Sequence, residues 1–150
     1  MRTLITFIAA AAMASGLLTA LAQNWPRPAF DADRSYVSER SALMRSVGGQ
    51  SRALRQALND GDAEAARASL NLLIEAGQSF PGLMPEGSAS RRTADTIWSD
   101  WDGFVAASLA MSDAASAVLT SVDAGDFETA LAGFGAIGQT CSSCHTAYRN

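Results

Sequence analysis

Phe127-Glu-Thr-Ala-Leu131-Ala-Gly-Phe134-Gly-Ala-Ile-Gly138-Gln-Thr-Cys141-Ser-Ser-Cys144-His145-Thr-Ala-Tyr148 is the stretch whose pattern governs the fold. Phe127, Leu131, Phe134, Gly138, Cys141, His145 and Tyr148 recur at steps of three and four, which places them on one helix face. Gly125 and Asp126 stand immediately before it: a glycine ends one helix and an aspartate caps the next. The same pair occurs at Gly61 and Asp62. The two joints echo each other over Gly-Asp-Ala-Glu-Ala-Ala at 61–66 and Gly-Asp-Phe-Glu-Thr-Ala at 125–130.

Working outward, three more helices follow from the same periodicity. The first is expected from Asp33 to Asn59, with Val37, Arg40, Met44, Val47, Ser51, Leu54 and Leu58 on one stripe. The second runs from the Asp62 cap to Gly77, carrying Ala66, Leu70, Leu73 and Ile74. Residues Gln78 to Arg92, rich in Pro, Gly and Ser, read as a loop without regular structure. The third helix is expected from about Thr93 to Asp123, with Ile97, Trp101, Phe104, Ser108, Met111, Ala115, Val118 and Val122 in register. Short joints make helices one and two, and three and four, antiparallel neighbours. The chain is therefore expected to be all-α, an antiparallel four-helix bundle.

Composition agrees. The 150 residues are 48% hydrophobic with no run of alternating β-branched residues, enough for one domain with one core. Met1 to Ala22 reads as a secretory leader, with Arg2 as the positive start, Leu4 to Leu18 as the apolar stretch and Ala20-Leu21-Ala22 as the cleavage site. A retained anchor is the alternative, since Leu4 to Ala22 is about long enough to span a bilayer. With cleavage, the domain comprises residues 23–150, has no membrane segment and resides in the periplasm. The formal charge of -4 argues against nucleic acid and favours a basic protein partner. Every basic side chain is Arg, Lys is absent, and His145 is the only His.

Cys141-Ser-Ser-Cys144-His145 is the Cys-x-x-Cys-His attachment signature of c-type haem. Positions i, i+3 and i+4 share a helix face, so both thiols and the imidazole address one flat ligand. The thiols add to its two vinyl groups and the imidazole binds iron as proximal ligand. Zinc would need a fourth protein ligand, or three plus water, and only these three residues are on offer. A thioredoxin-like pair belongs in a strand-and-helix setting, and export would otherwise suit a disulfide.

The sixth position of the iron is narrowed by the missing residues. With His145 used and Lys absent, a Met or an open site remains. Met44 shares its stripe with Arg40 one turn away, so a guanidinium could hold a haem propionate beside a thioether. Gly48 leaves space one turn further on. Met84, in the loop, and Met111, in mid-helix, read as packing residues, as do Trp98, Trp101, Phe104 and Phe127. Asp100 and Asp102 read as solvated or helix-dipole residues. No Ser/His/Asp set and no phosphate-cradling glycine pattern exists, so no enzyme activity is expected.

These residues together resemble the class II c-type cytochromes, cytochrome c prime and its low-spin, methionine-ligated relatives. The likeness rests on Cys141 to Arg149, on Arg40-Ser-Ala-Leu-Met44, on Ile97-Trp98-Ser99-Asp100 with Phe104, and on Phe80-Pro81. It implies a left-handed bundle, commonly a homodimer, with one covalently bound haem c and its iron on the last helix. It implies that Arg40 is the propionate-binding Arg, that position 44 faces the iron, and that Arg149 lies beside His145. The resemblance leaves two functions. In one, His145 and Met44 both ligate iron and the protein transfers electrons to a periplasmic redox partner. In the alternative, the iron is five-coordinate and binds nitric oxide or carbon monoxide at an open distal site.

Overall fold

The structure, a computed structural model, describes residues 25–150; the leader expected over Met1–Ala22 lies outside the described residues. Four long helices make the body: α1 (Tyr36–Asp60), α2 (Ala63–Ser79), α4 (Trp101–Asp123) and α5 (Phe127–Tyr148), with a single short helical turn, α3 (Thr96–Ser99), before α4. Helix α4 packs on both α2 and α5, and α1 packs on α2 and, less extensively, on α5, which closes the bundle. The described residues are helical and hold no strand, as the periodicity requires.

The two Gly-Asp joints are the same device. Gly61 (φ 69°) and Gly125 (φ 73°) adopt the left-handed conformation that glycine takes without steric cost. Gly61 N–H donates to Leu58 O and Asp62 N–H to Ala57 O; Gly125 N–H donates to Val122 O and Asp126 N–H to Ser121 O. Each aspartate then caps the next helix, Asp62 Oδ1 accepting from Ala65 N–H and Asp126 Oδ1 from Thr129 N–H, both at 3.0 Å.

Three expected boundaries differ. Helix α1 starts at Tyr36 rather than Asp33, because Asp33 N–H donates to Asp31 Oδ1 and Arg34 N–H to Asp31 O, forming a turn. Helix α2 does not stop at Gly77. That glycine is a contact point: a Cβ there would lie 2.4 Å from Ser112 Oγ and 2.8 Å from Ser108 O. Ser108 Oγ donates to Gly77 O and Ser112 Oγ to Ile74 O, so α2 and α4 touch through backbone. The third helix is broken at Asp100, whose φ and ψ of -126° and 57° leave the helical region. Asp100 N–H closes α3 on Thr96 O, and Asp100 O opens α4 by accepting from Phe104 N–H. Inside the loop expected to be irregular, Phe80–Leu83 forms a 3-10 turn with Pro81 near its start, where a missing N–H costs nothing.

The core has two parts. Leu54, Leu58, Leu70, Leu73, Ala115, Val118, Val122 and Ile137 fill the bundle. Met84, Ile97, Trp101, Phe104 and Val105 form a second cluster, with Trp25 packed on it. Each fully buried Leu or Ile contributes about 1.5–3 kcal/mol. The α1 stripe divides along its length: Leu54 and Leu58 join the core, whereas Val37, Arg40, Met44, Val47 and Ser51 line a cavity at the other end of the bundle.

Candidate functional site

The cavity has a volume of about 660 Å³, within the roughly 300–1,000 Å³ of sites that take small molecules and cofactors. One wall is α5, which contributes Thr140, Cys141, Cys144, His145 and Tyr148, with Arg149 just beyond it. Another is α1, with Arg40, Met44, Val47 and Gly48. All six residues singled out in the sequence as cofactor-binding, Arg40, Met44, Cys141, Cys144, His145 and Arg149, meet at this one space. Helical geometry brings the last four together, and bundle packing brings the first two to them.

Cys141 and Cys144 form no disulfide with each other. Burial, and then the neighbouring Cys141, push the Cys144 thiol up from its ordinary value. Burial, and then the Arg149 guanidinium, hold the His145 imidazole below its ordinary value. Both effects favour the neutral imidazole, the form with a lone pair for a metal.

Arg40 is 6% exposed and is the one buried charged residue among the described residues. Its Nη1 donates to Leu83 O and Ser88 Oγ at 2.9 Å, and its Nη2 donates to Ser88 O at 2.6 Å. A guanidinium has five N–H donors. Nε–H and one Nη2–H are therefore left over for a carboxylate, so Arg40 can bind a propionate while it fastens the middle loop. The loop-fastening role was not expressed in the sequence, because it spans more than 40 positions.

The charge of the lining is one-sided. Arg40, Arg45, Arg92 and Arg149 all border the cavity, and no Asp or Glu does. In a protein of net charge -4 this is a local inversion. A ligand with two carboxylates on an otherwise apolar plate fits such a lining, and haem is that ligand. The paired thiols and imidazole on α5, the apolar contacts of Val47, Ile97 and Phe104, and the arginines thus match its three kinds of surface.

Some residues acquire roles the sequence reading did not assign. Met84 and Met111 are buried, as packing residues should be, yet both also line the cavity. Phe104 does so too, whereas Trp98, Trp101 and Phe127 do not. Arg92 follows a second arginine in a Gly/Ser-rich loop, and Arg45 adjoins Met44; those placements were the only signals for either. Asp100, read as a solvated or helix-dipole residue, is exposed at the start of α4 and in addition accepts a 2.7 Å hydrogen bond from the Tyr148 hydroxyl. Burial, with that carboxylate second, pushes the Tyr148 phenol up to about 12.

Comparison with known proteins follows the same residues. A family model described as Cytochrome C' matches residues 35–149. The cytochrome c' of Cereibacter sphaeroides is 32% identical over 143 residues, covering 89% of this chain and 95% of the relative. The cytochrome c-556 of Agrobacterium tumefaciens is 26% identical over 118 residues, covering 75% of this chain and 95% of the relative. Among solved structures, a point mutant of cytochrome c prime from Alcaligenes xylosoxidans, in complex with nitric oxide, superposes with a TM-score of 0.69. It is 24% identical and the match covers 77% of this chain and 94% of that one. The likeness extends over the whole bundle.

Proposed function

The chain belongs to the cytochrome c' family of haem c proteins, and from that membership we propose that it binds a diatomic gas, nitric oxide or carbon monoxide, on the haem face away from His145. When bound, haem c would supply an iron that can take a diatomic gas as ligand. The chain's own residues do the rest. Cys141 and Cys144 would hold the group by thioether bonds, His145 would ligate its iron, and the arginines that line the cavity would draw its carboxylates.

The observation that carries the reading is the character of the α1 wall. Val37, Met44 and Val47 line it, with Gly48 bare beside them, and it offers neither His nor Lys. Met44 is the single candidate ligand there; it is partly buried and packs against the bundle core while it borders the cavity. Beside Arg40 and Arg45 on the same helix, these side chains give the wall an apolar stretch that suits a small uncharged molecule. Nitric oxide, the molecule held by the Alcaligenes protein, is the ligand to try first.

A second reading has one observation in its favour: Met44 borders the same cavity as His145. Rotation of its flexible thioether onto iron would give a six-coordinate electron carrier. Substituting Met44→Leu separates the two. On the gas-binding reading the ferric spin state of the variant matches that of the parent. On the second reading the variant converts from low spin to high spin, and the electronic spectrum of the ferric protein records which occurs.

The reading assigns binding and no catalytic turnover, since His145, the one imidazole, is committed as proximal ligand and no acid–base partner stands nearby. The leader in the sequence supports a periplasmic location.

A further inference from the structure

The turn that carries His145 is the last of α5, and helix ends ordinarily fray because their final carbonyls have no partners. Here they are paired from outside. Thr96 Oγ1 donates to Ala147 O at 2.8 Å, and Ala94 N–H donates to Tyr148 O at 3.2 Å. Beyond the helix, Asn150 N–H donates to Arg92 O and Asn150 Nδ2 to Thr93 O. The segment 92–96 thus acts as a splint along the end of α5.

The side-chain member of this splint is the least expected. Asp100 holds the N-cap position of α4, where an aspartate normally accepts from the second or third N–H of its own helix. Its carboxylate makes no such bond. It lies against Gly103 in the first turn of α4 and accepts instead from the Tyr148 hydroxyl at 2.7 Å. Gly103 makes this possible: a Cβ there would stand 2.4 Å from Asp100 Oδ2 and 2.6 Å from Oδ1. Phe104, which lines the haem cavity, meets the Tyr148 ring edge-on with centroids 5.4 Å apart. Tyr148 lies three residues after His145, on the same face of α5 and bordering the same cavity.

We propose that Asp100 is a positioning residue of the haem site, its carboxylate holding the Tyr148 hydroxyl so that the last turn of α5 presents the His145 imidazole to iron in one orientation. The inference rests on the assignment of His145 as proximal ligand. Outer residues that orient a metal-binding histidine set its ring angle and the strength of its bond to metal. Here the orientation is imposed through the helix end.

Proton NMR of the ferric holoprotein tests it, because the His145 β-methylene resonances are displaced by the iron in either spin state and report the ring's orientation. Tyr148→Phe removes the donor and keeps the ring on Phe104. Gly103→Ala displaces the acceptor without touching α5, while raising helix propensity in α4. Both variants, and Asp100→Ala, are expected to move the two β-proton resonances to a common new separation. Asp100→Asn, whose amide oxygen still accepts, is expected to retain the parental separation. Unchanged resonances in Tyr148→Phe and Asp100→Ala would overturn the inference, whatever happens to thermal stability. Absence of iron-displaced His145 resonances in the parent protein would overturn the ligand assignment itself, and is read independently of the variants.

Discussion

Replacing both Cys141 and Cys144 by Ser is expected to leave a polypeptide from which acidified acetone strips all haem, whereas the parent protein retains all of it. The effect is close to all-or-none because thioether bonds are the sole covalent link. Without them the group is held by the His145–iron bond, burial and the arginine contacts, and acid removes the first by protonating the imidazole. The single variants, Cys141→Ser and Cys144→Ser, each keep one thioether and are expected to retain haem with one vinyl group unreacted. That vinyl moves the α-band of the pyridine complex to longer wavelength. Haem extractable from the parent protein would show that the motif does not attach it. Cys141 and Cys144 lie on one face of α5 and border one cavity with His145, so both thiols can reach one plate.

The second large effect is on stability. Gly77→Ala is expected to destabilise the protein by about 2–4 kcal/mol, after a gain of about 1 kcal/mol in helix propensity within α2, seen as a fall in the denaturation midpoint without a change in slope. The added Cβ would meet Ser112 Oγ at 2.4 Å and Ser108 O at 2.8 Å. The serine hydroxyl can rotate away, but the carbonyl belongs to the α4 backbone and cannot. Overpacking of this kind costs about 1–3 kcal/mol. Separating the helices also strains the buried hydrogen bonds from Ser108 to Gly77 O and from Ser112 to Ile74 O, each contributing roughly 1 kcal/mol. At this chain length the thermal midpoint should fall by roughly 3 °C or more per kcal/mol. A Gly77→Ala midpoint equal to that of the parent would mean that α2 and α4 do not approach as closely as described. Ser108 also borders the haem cavity, so the same variant tests whether the contact helps shape the site.

What could be read in the sequence was local. The Gly125–Asp126 joint is legible because a left-handed glycine and a capping aspartate act on their immediate neighbours, and both do so in the structure as the pattern implies. That Cys141, Cys144 and His145 share one face of α5 is legible for the same reason, since fixed helical spacing brings all three to the cavity. Gly77 was not legible as a contact: an isolated glycine near a helix end looks like a stop, and only the packing of α4 against it shows otherwise. The break at Asp100 was hidden because the apolar register of the third helix continues through it. Arg40 was legible as a residue of the site but not as the fastening of the loop at Leu83 and Ser88, a contact between distant segments. The inverted charge of the cavity was likewise invisible, because its arginines come from α1, the middle loop and the C-terminus. The net charge of -4 suggested a basic partner and concealed a local arginine-rich rim.

The site also explains why one residue carries the choice between functions. The lining of α5 is set by attachment chemistry, and the arginines by the charge of the group they border. Met44 is the position where a side chain either packs or ligates: it packs against the bundle core and also borders the cavity that holds His145. Deleting it therefore changes little on the gas-binding account and changes the iron's coordination on the other.

The most direct measurement is the electronic spectrum of the parent holoprotein, ferric and ferrous, before and after exposure to carbon monoxide. The account predicts high-spin ferric iron with no thioether charge-transfer band, and a ferrous spectrum that converts fully to the carbon monoxide form. Low-spin ferric iron with that band, together with a ferrous spectrum unmoved by the gas, would contradict it and establish Met44 as the sixth ligand of an electron carrier.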